Sequence, residues 1–316
     1  VLFRSPPDLA ADFVDAGIID AARAEQRCTA RHCETPDNLC TRIFACQSDG
    51  NFIVKTRRRF VVEFWYFGIK EARACLFAGL FFAAVFIVPR GGVLGVPRYD
   101  VLLLLALGIQ AWMLYAKLET WDEFKAIMLF HLMGFALEAF KVSANVKSWS
   151  YPEFAYSKVM EVPLFAGFMY AAVGSYIIQV WRALDLRVVH HPPYWMTGIV
   201  AVALYVNFFT HRYIGDYRWT LGAIALGLYA RCWVEFRPLD RTRRMPLIAG
   251  LILVGFFIWL AENAGTFFGL WKYPNQLGAW TTVHVGKWSS WTALTLLTFA
   301  IVVNLKHVKE RIHLAP

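Results

Sequence analysis

Eight apolar runs punctuated by proline set the kind of fold open to this chain. They cover residues 72–88, 100–116, 124–142, 162–181, 195–210, 219–236, 245–262 and 283–305. A helix that crosses a bilayer needs about 20 mostly apolar residues, and each run approaches or reaches that length. Pro89, Pro97, Pro152, Pro163, Pro192, Pro193, Pro238, Pro246 and Pro274 fall at or between the run ends. Proline removes a backbone donor and stops a helix, so the punctuation agrees with the hydropathy. Only 17% of the 316 residues are charged and 58% are hydrophobic, whereas a soluble domain carries roughly 25% charged residues. The expected architecture is all-α, a polytopic transmembrane helical bundle of about eight spans occupying residues 60–316.

Residues 1–59 read differently. They show mixed polarity and no sustained period, the pattern of a disordered tail. The opening Val1-Leu2-Phe3-Arg4-Ser5 lacks an initiator Met and reads as a cloning or sequencing remnant, so it carries no argument. Cys28, Cys33, Cys40 and Cys46 crowd this tail beside His32, but their spacings match no paired zinc pattern.

The net charge of +9 is spread over the short segments between apolar runs. Lys and Arg in such segments are orientation signals, not a nucleic-acid footprint, and no nucleic-acid partner is expected. If eight spans alternate sides, eighteen Lys and Arg between residues 55 and 311 fall on one side and nine on the other. The positive-inside rule then places both termini in the cytoplasm, with the inner membrane as the location and membrane lipids as the surroundings.

Within this frame one phrase is written twice. Glu138-Ala139-Phe140 leads to Trp149-Ser150-Tyr151-Pro152, and Glu262-Asn263-Ala264 leads to Trp271-Lys272-Tyr273-Pro274. Each copy places a carboxylate near the end of an apolar run and an aromatic, proline-stopped turn beyond it. A carboxylate in the bilayer costs about 2.5–3.5 kcal/mol on insertion scales, so a matched pair asks for a reason. Matched segments in two halves of a membrane protein point to a site at the repeat interface. The interval between the acid and the turn differs by two residues, so the internal repeat is degenerate.

Further polar residues are expected around that site. His131 and Lys141 share a helix face with Glu138, at offsets of seven and three. Asn263 neighbours Glu262. Asn207 and His211 are four apart at the end of the fifth run, and His284 and Lys287 three apart at the start of the eighth. On the topology above all of these gather toward one membrane face. Glu138 and Glu262 are the candidate catalytic acids. The candidate substrate contacts are His131, Lys141, Trp149, Tyr151, Asn207, His211, Asn263, Trp271, Tyr273, His284 and Lys287. The bland alternative is that Lys141 neutralises Glu138 and the turns are interfacial anchors. No H-x-x-x-H or H-E-x-x-H pair, glycine-rich phosphate loop or G-x-S-x-G elbow is present, so no metal site is assigned and the residues name no cofactor.

Several stretches carry a resemblance: PRYDVLLLLALGIQAWML, LFHLMGFALEAFKV followed by SWSYPE, VPLFAGFMYAAVGSYIIQ, YVNFFTHRY, and IWLAENAGTFFGLWKYPNQLGAW followed by HVGKWSSW. From about Phe60 onward the chain resembles the bacterial membrane-protein family known as domain of unknown function 817. The interval 143–147 is longer than the family pattern. The resemblance implies a bacterial integral membrane protein of about this size and supplies no activity or catalytic residue. In style alone, acids near helix ends beside aromatic, glycine-containing turns are similar to carotenoid hydratases and small membrane lycopene cyclases.

Three functions follow as expectations. The first is an enzyme acting on an apolar, membrane-dissolved isoprenoid or lipid. In it a protonated Glu138 or Glu262 would donate to a carbon–carbon double bond, and the turn aromatics would face the cation formed. The second is a small-solute transporter, and the third a structural or accessory membrane subunit.

Overall fold

The computed structural model describes residues 48–314. The four tail cysteines and His32 lie outside the described residues. The chain divides into two compact units between Tyr66 and Phe67. The described part of the first is helical, and Arg59 meets Glu63 at 3.4 Å across one helical turn.

Among the described residues there are nine α-helices: α1 (Ser48–Ala74), α2 (Leu76–Ile87), α3 (Arg98–Tyr115), α4 (Trp121–Val142), α5 (Phe165–Ala183), α6 (Tyr194–Thr210), α7 (Arg218–Tyr229), α8 (Leu247–Phe267) and α9 (Gly286–Leu314). Every apolar run of the sequence holds one of α2–α9. Among the described residues three helical segments are long and apolar enough to cross a membrane: Arg98–Tyr115, Leu247–Phe267 and Gly286–His307. The 12 residues of α2 span only about 18 Å at 1.5 Å per residue. Yet α1 feeds α2 through Cys75 alone, and the ladder continues from Cys75 N to Glu71 O (2.9 Å) and from Gly79 N to Cys75 O (2.8 Å).

The helix ends follow local chemistry. Thr120 starts α4 with a reciprocal cap: its hydroxyl accepts from the Glu123 amide at 3.3 Å, and Glu123 Oε2 accepts from the Thr120 amide at 2.7 Å. Pro97, Pro193 and Pro246 precede α3, α6 and α8, where the missing amide is no loss.

The all-α expectation needs correction, because two small antiparallel sheets are present. Strands β1 (Lys158–Val159) and β2 (Val162–Pro163) form a hairpin around Met160 and Glu161, both at positive φ (52° and 63°). This moves the start of α5 from the expected residue 162 to Phe165. Strands β3 (Arg187–Val189), β4 (Trp233–Phe236) and β5 (Arg243–Pro246) form the second sheet in that order. The sixth run therefore does not stay helical to residue 236. Its helix stops at Tyr229, and the aromatic and β-branched Trp233-Val234-Glu235-Phe236 pairs on both sides, with Val234 turned inward.

Two helix pairs make the most extensive contacts, α4 with α5 and α8 with α9. Small residues bring them together: Gly134 lies against the Tyr170 ring, Gly174 against Phe130 and Gly255 against Thr292. Each pair is the one that flanks a copy of the repeated turn.

Candidate functional site

The repeat has a common construction. In the first copy Glu138 sits on α4, buried, and three donors meet its carboxylate. Trp149 Nε1 donates to Oε2 at 2.7 Å, the Tyr151 hydroxyl to Oε2 at 2.9 Å, and the Tyr170 hydroxyl to Oε1 at 2.7 Å. In the second copy Glu262 sits on α8, also buried. The Tyr273 hydroxyl donates to Oε1 at 2.5 Å and Trp291 Nε1 to Oε2 at 2.8 Å. Each acid thus takes the hydroxyl of its own turn's tyrosine and one donor from the helix that follows the turn. A buried carboxylate met by several donors is far cheaper than a bare one.

The two turns also bond each other. Ser150 N donates to Lys272 O at 3.0 Å, and Lys272 N returns to Ser150 O at 2.9 Å. Beneath them the start of α3 serves as a clamp. Arg98, buried, donates from Nη1 to Phe268 O (2.9 Å) and Glu153 (3.2 Å), and from Nη2 to Val85 O (3.0 Å). The Tyr99 hydroxyl donates to Leu270 O at 2.7 Å, and Asp100 accepts from the amides of Tyr156 and Ser157 at 2.9 and 2.8 Å. Burial pushes the Glu153 carboxyl up, against the pull of Arg98.

Between the two copies lies a cavity of about 300 Å³, at the small end of ligand pockets. Glu138, Lys141, Trp149, His211, Glu262, Trp271, Tyr273 and Lys287 all border it. Eight of the thirteen residues expected from sequence therefore come together. Tyr151 stands one layer behind, on Glu138. Lys141 does not pair with Glu138: its Nζ faces the His211 ring, 3.3 Å from Nδ1 and 3.5 Å from Nε2. Burial, then the Lys141 charge, pushes the His211 imidazole below its ordinary range. Lys287 Nζ lies over two rings, 4.9 Å from the Trp149 centroid and 4.7 Å from that of Tyr273.

Four expected residues do not reach the cavity. His131 packs on Gly167 and the Phe168 ring, at a 4.4 Å centroid distance. Asn207 accepts the Tyr217 amide at 3.2 Å and fixes the entry to α7. Asn263 accepts the Val283 amide at 2.9 Å and donates to Trp259 O at 2.8 Å. His284, exposed, accepts the Gly286 amide at 3.0 Å at the start of α9. Three of these polar groups serve the backbone, and the fourth packs between helices.

Arg218 is the main addition. It donates from Nε to both Asp216 oxygens at 2.9 Å, from Nη2 to Oδ2 at 2.6 Å, and from Nη1 to Ser290 Oγ at 2.6 Å. The Arg218 hydrogen bonds hold the Asp216 carboxyl down at about 2. Its sequence signal is positional: α3 and α7, one in each half, both begin on an arginine, Arg98 and Arg218. The apolar wall of the cavity comes from Phe81, Phe82, Met169, Ile258 and Leu294.

A family profile described as "Protein of unknown function (DUF817)" matches residues 63–299. The chain is 47% identical over 253 residues to the "Uncharacterized protein YoaT" of Bacillus subtilis (strain 168), which covers 80% of this chain and 95% of that protein. No solved structure matches. Nothing in these matches points to carotenoid hydratases or lycopene cyclases.

Proposed function

The chain belongs to the DUF817 family, and from that premise we propose an integral protein of the bacterial inner membrane, both termini cytoplasmic, whose cavity takes a small, mainly apolar molecule from the bilayer and carries out acid–base chemistry on it. Eight crossings are part of this proposal. Residues 67–87 supply about 31 Å of nearly continuous helix at the first crossing. At the sixth, the 12 residues of α7 give about 18 Å. The excess of Lys and Arg on the side of the β3-β4-β5 sheet supports the orientation.

One observation carries the chemical reading. Carboxylates from two separate repeats border one cavity, and each is joined to it by a tyrosine hydroxyl, Tyr170 for Glu138 and Tyr273 for Glu262. A hydroxyl both gives and takes a proton, so with Glu138 protonated the Tyr170 hydroxyl would turn, accept the acid's proton and give its own to the cavity. The tyrosines are thus the groups that would touch substrate, with the acids behind them. Protonation of an alkene carbon followed by loss of a neighbouring proton to the same pair isomerises the substrate without a co-reactant.

The test is mass spectrometry of molecules retained by the purified protein, followed by turnover of the retained species. Glu138→Gln and Glu262→Gln should keep the bound molecule and lose its conversion. Unchanged turnover in both variants would defeat the acid–base reading.

A second reading, transport of a small solute, draws on the two ammonium groups in the same cavity and on its place between repeats. Uptake into proteoliposomes that depends on pH or sodium would favour it over the enzyme.

A further inference from the structure

We propose that the cavity binds the anionic group of an amphipathic ligand between Lys141 and Lys287. This deepens the preceding section and rests on its reading that the cavity holds a ligand.

The argument begins with which charges are already served. Glu138 has three donors and Glu262 two. Asp216 is taken by Arg218, which also donates to Ser290. That leaves the two lysines. An ammonium carries three N–H donors and wants oxygen acceptors. Lys141 has the edge of the His211 ring and, at 5.8 Å, the face of Phe140, and Lys287 has the faces of Trp149 and Tyr273. Among the described residues neither forms a salt bridge. Glu262 and Glu138 attract Lys287, and Asp216 and Glu138 attract Lys141, against repulsion from Arg218, but neither ammonium touches a carboxylate oxygen among the described residues.

Two ammonium groups short of oxygen acceptors and bordering one cavity are complementary to an anion. A carboxylate or phosphate there would give both ammonium groups their missing oxygens. The apolar wall of Phe81, Phe82, Met169, Ile258 and Leu294 suits a hydrocarbon body. The two walls together specify one ligand class: an apolar chain or ring system carrying a single anionic head. A wholly apolar hydrocarbon would leave the ammonium groups unserved.

The experiment titrates the full-length protein in mild detergent with octanoate, octyl phosphate and octanol, read by calorimetry. Both anions should bind at least tenfold more tightly than octanol. Lys141→Gln and Lys287→Gln should each weaken the anions at least tenfold and leave octanol unchanged, so the octanol arm reports that each variant is folded. Lys141→Arg and Lys287→Arg should retain anion binding. Octanol binding as tightly as octanoate, or Gln variants indistinguishable from the parent, would overturn the anion site while leaving the cavity reading intact. Failure of all three probes to bind or to displace a retained molecule would remove the cavity reading and this inference together. Repeating the octanoate titration in nanodiscs identifies the natural source. Competition by anionic but not zwitterionic phospholipid assigns the head to a lipid, and its absence assigns it to a free amphiphile; either supports the site.

Discussion

Ser150 and Lys272 exchange a pair of backbone hydrogen bonds, 3.0 Å in one direction and 2.9 Å in the other. They are the middle residues of two turns more than a hundred positions apart in the chain. This bridge explains why the two copies keep the order Trp-x-Tyr-Pro while differing at x, serine in one and lysine in the other. The x position contributes its backbone, and the flanking Trp and Tyr of the first copy reach the acid. In the second copy Tyr273 keeps that role, but Trp271 lies instead against Gly265, where an added Cβ would stand 2.5 Å from its ring. The donor that Trp149 supplies in one half is supplied in the other by Trp291.

The bridge predicts a backbone effect separable from the side chain. Ser150→Pro removes the amide that Lys272 O accepts and should cost about 1–3 kcal/mol. Ser150→Ala should stay within about 0.5 kcal/mol. Thermal unfolding in detergent distinguishes them, and equal midpoints for the two variants would show that the bridge contributes nothing.

Glu138 should behave as a structural keystone as well as a proton holder. Glu138→Leu leaves three buried donors without an acceptor, at about 1–3 kcal/mol each. Its unfolding midpoint should fall far below that of Glu138→Gln, which keeps one oxygen and should cost about 1 kcal/mol. Comparable midpoints for Leu and Gln would mean that the donors find other partners.

How far the sequence reaches is clearest at these residues. The apolar runs and their prolines located every helix from α2 to α9, because burial and helix breaking are local properties of the chain. The repeated acid and turn were legible for the same reason, since Glu138, Trp149 and Tyr151 meet within one short stretch. His131 shows the limit. Seven residues return to the same helix face, but they also move about 10 Å along the axis, away from the cavity. A helix-end or satisfied polar role was open to Asn207 and Asn263 in the sequence, but their partners were not readable, because the amides they accept belong to Tyr217 and Val283 in segments with no regular period. Strand β4 was lost in a run whose apolar residues fit a helix or a strand equally well.

His211 should make the rim of the cavity sensitive to acid. Its imidazole is pushed below the ordinary value of 6.5 by burial first and by Lys141 second. A base with a depressed folded value favours the folded state most above 6.5, and that contribution is lost as pH falls through the folded value. The unfolding midpoint should therefore decline as pH falls below about 6.5. His211→Gln should flatten the decline, and an identical slope in the variant would assign the sensitivity elsewhere.

The proposed topology is tested at the two ends of α8. This helix has 21 residues, about 31 Å in length, and matches the hydrocarbon thickness of about 30 Å without help from its neighbours. Arg241, exposed between β4 and β5, precedes it on the side rich in Lys and Arg. Gly278 follows it beyond the second turn, where an added Cβ would meet no atom within 4 Å, so a cysteine fits there without disturbance. In intact cells a membrane-impermeant thiol reagent should label Gly278→Cys and spare Arg241→Cys, which should react only after the membrane is opened. The reverse pattern would invert the orientation and put both turns in the cytoplasm. Labelling of both from outside would mean that α8 does not cross, and the eight-span reading would fall with it, because α8 is among the strongest of its spans.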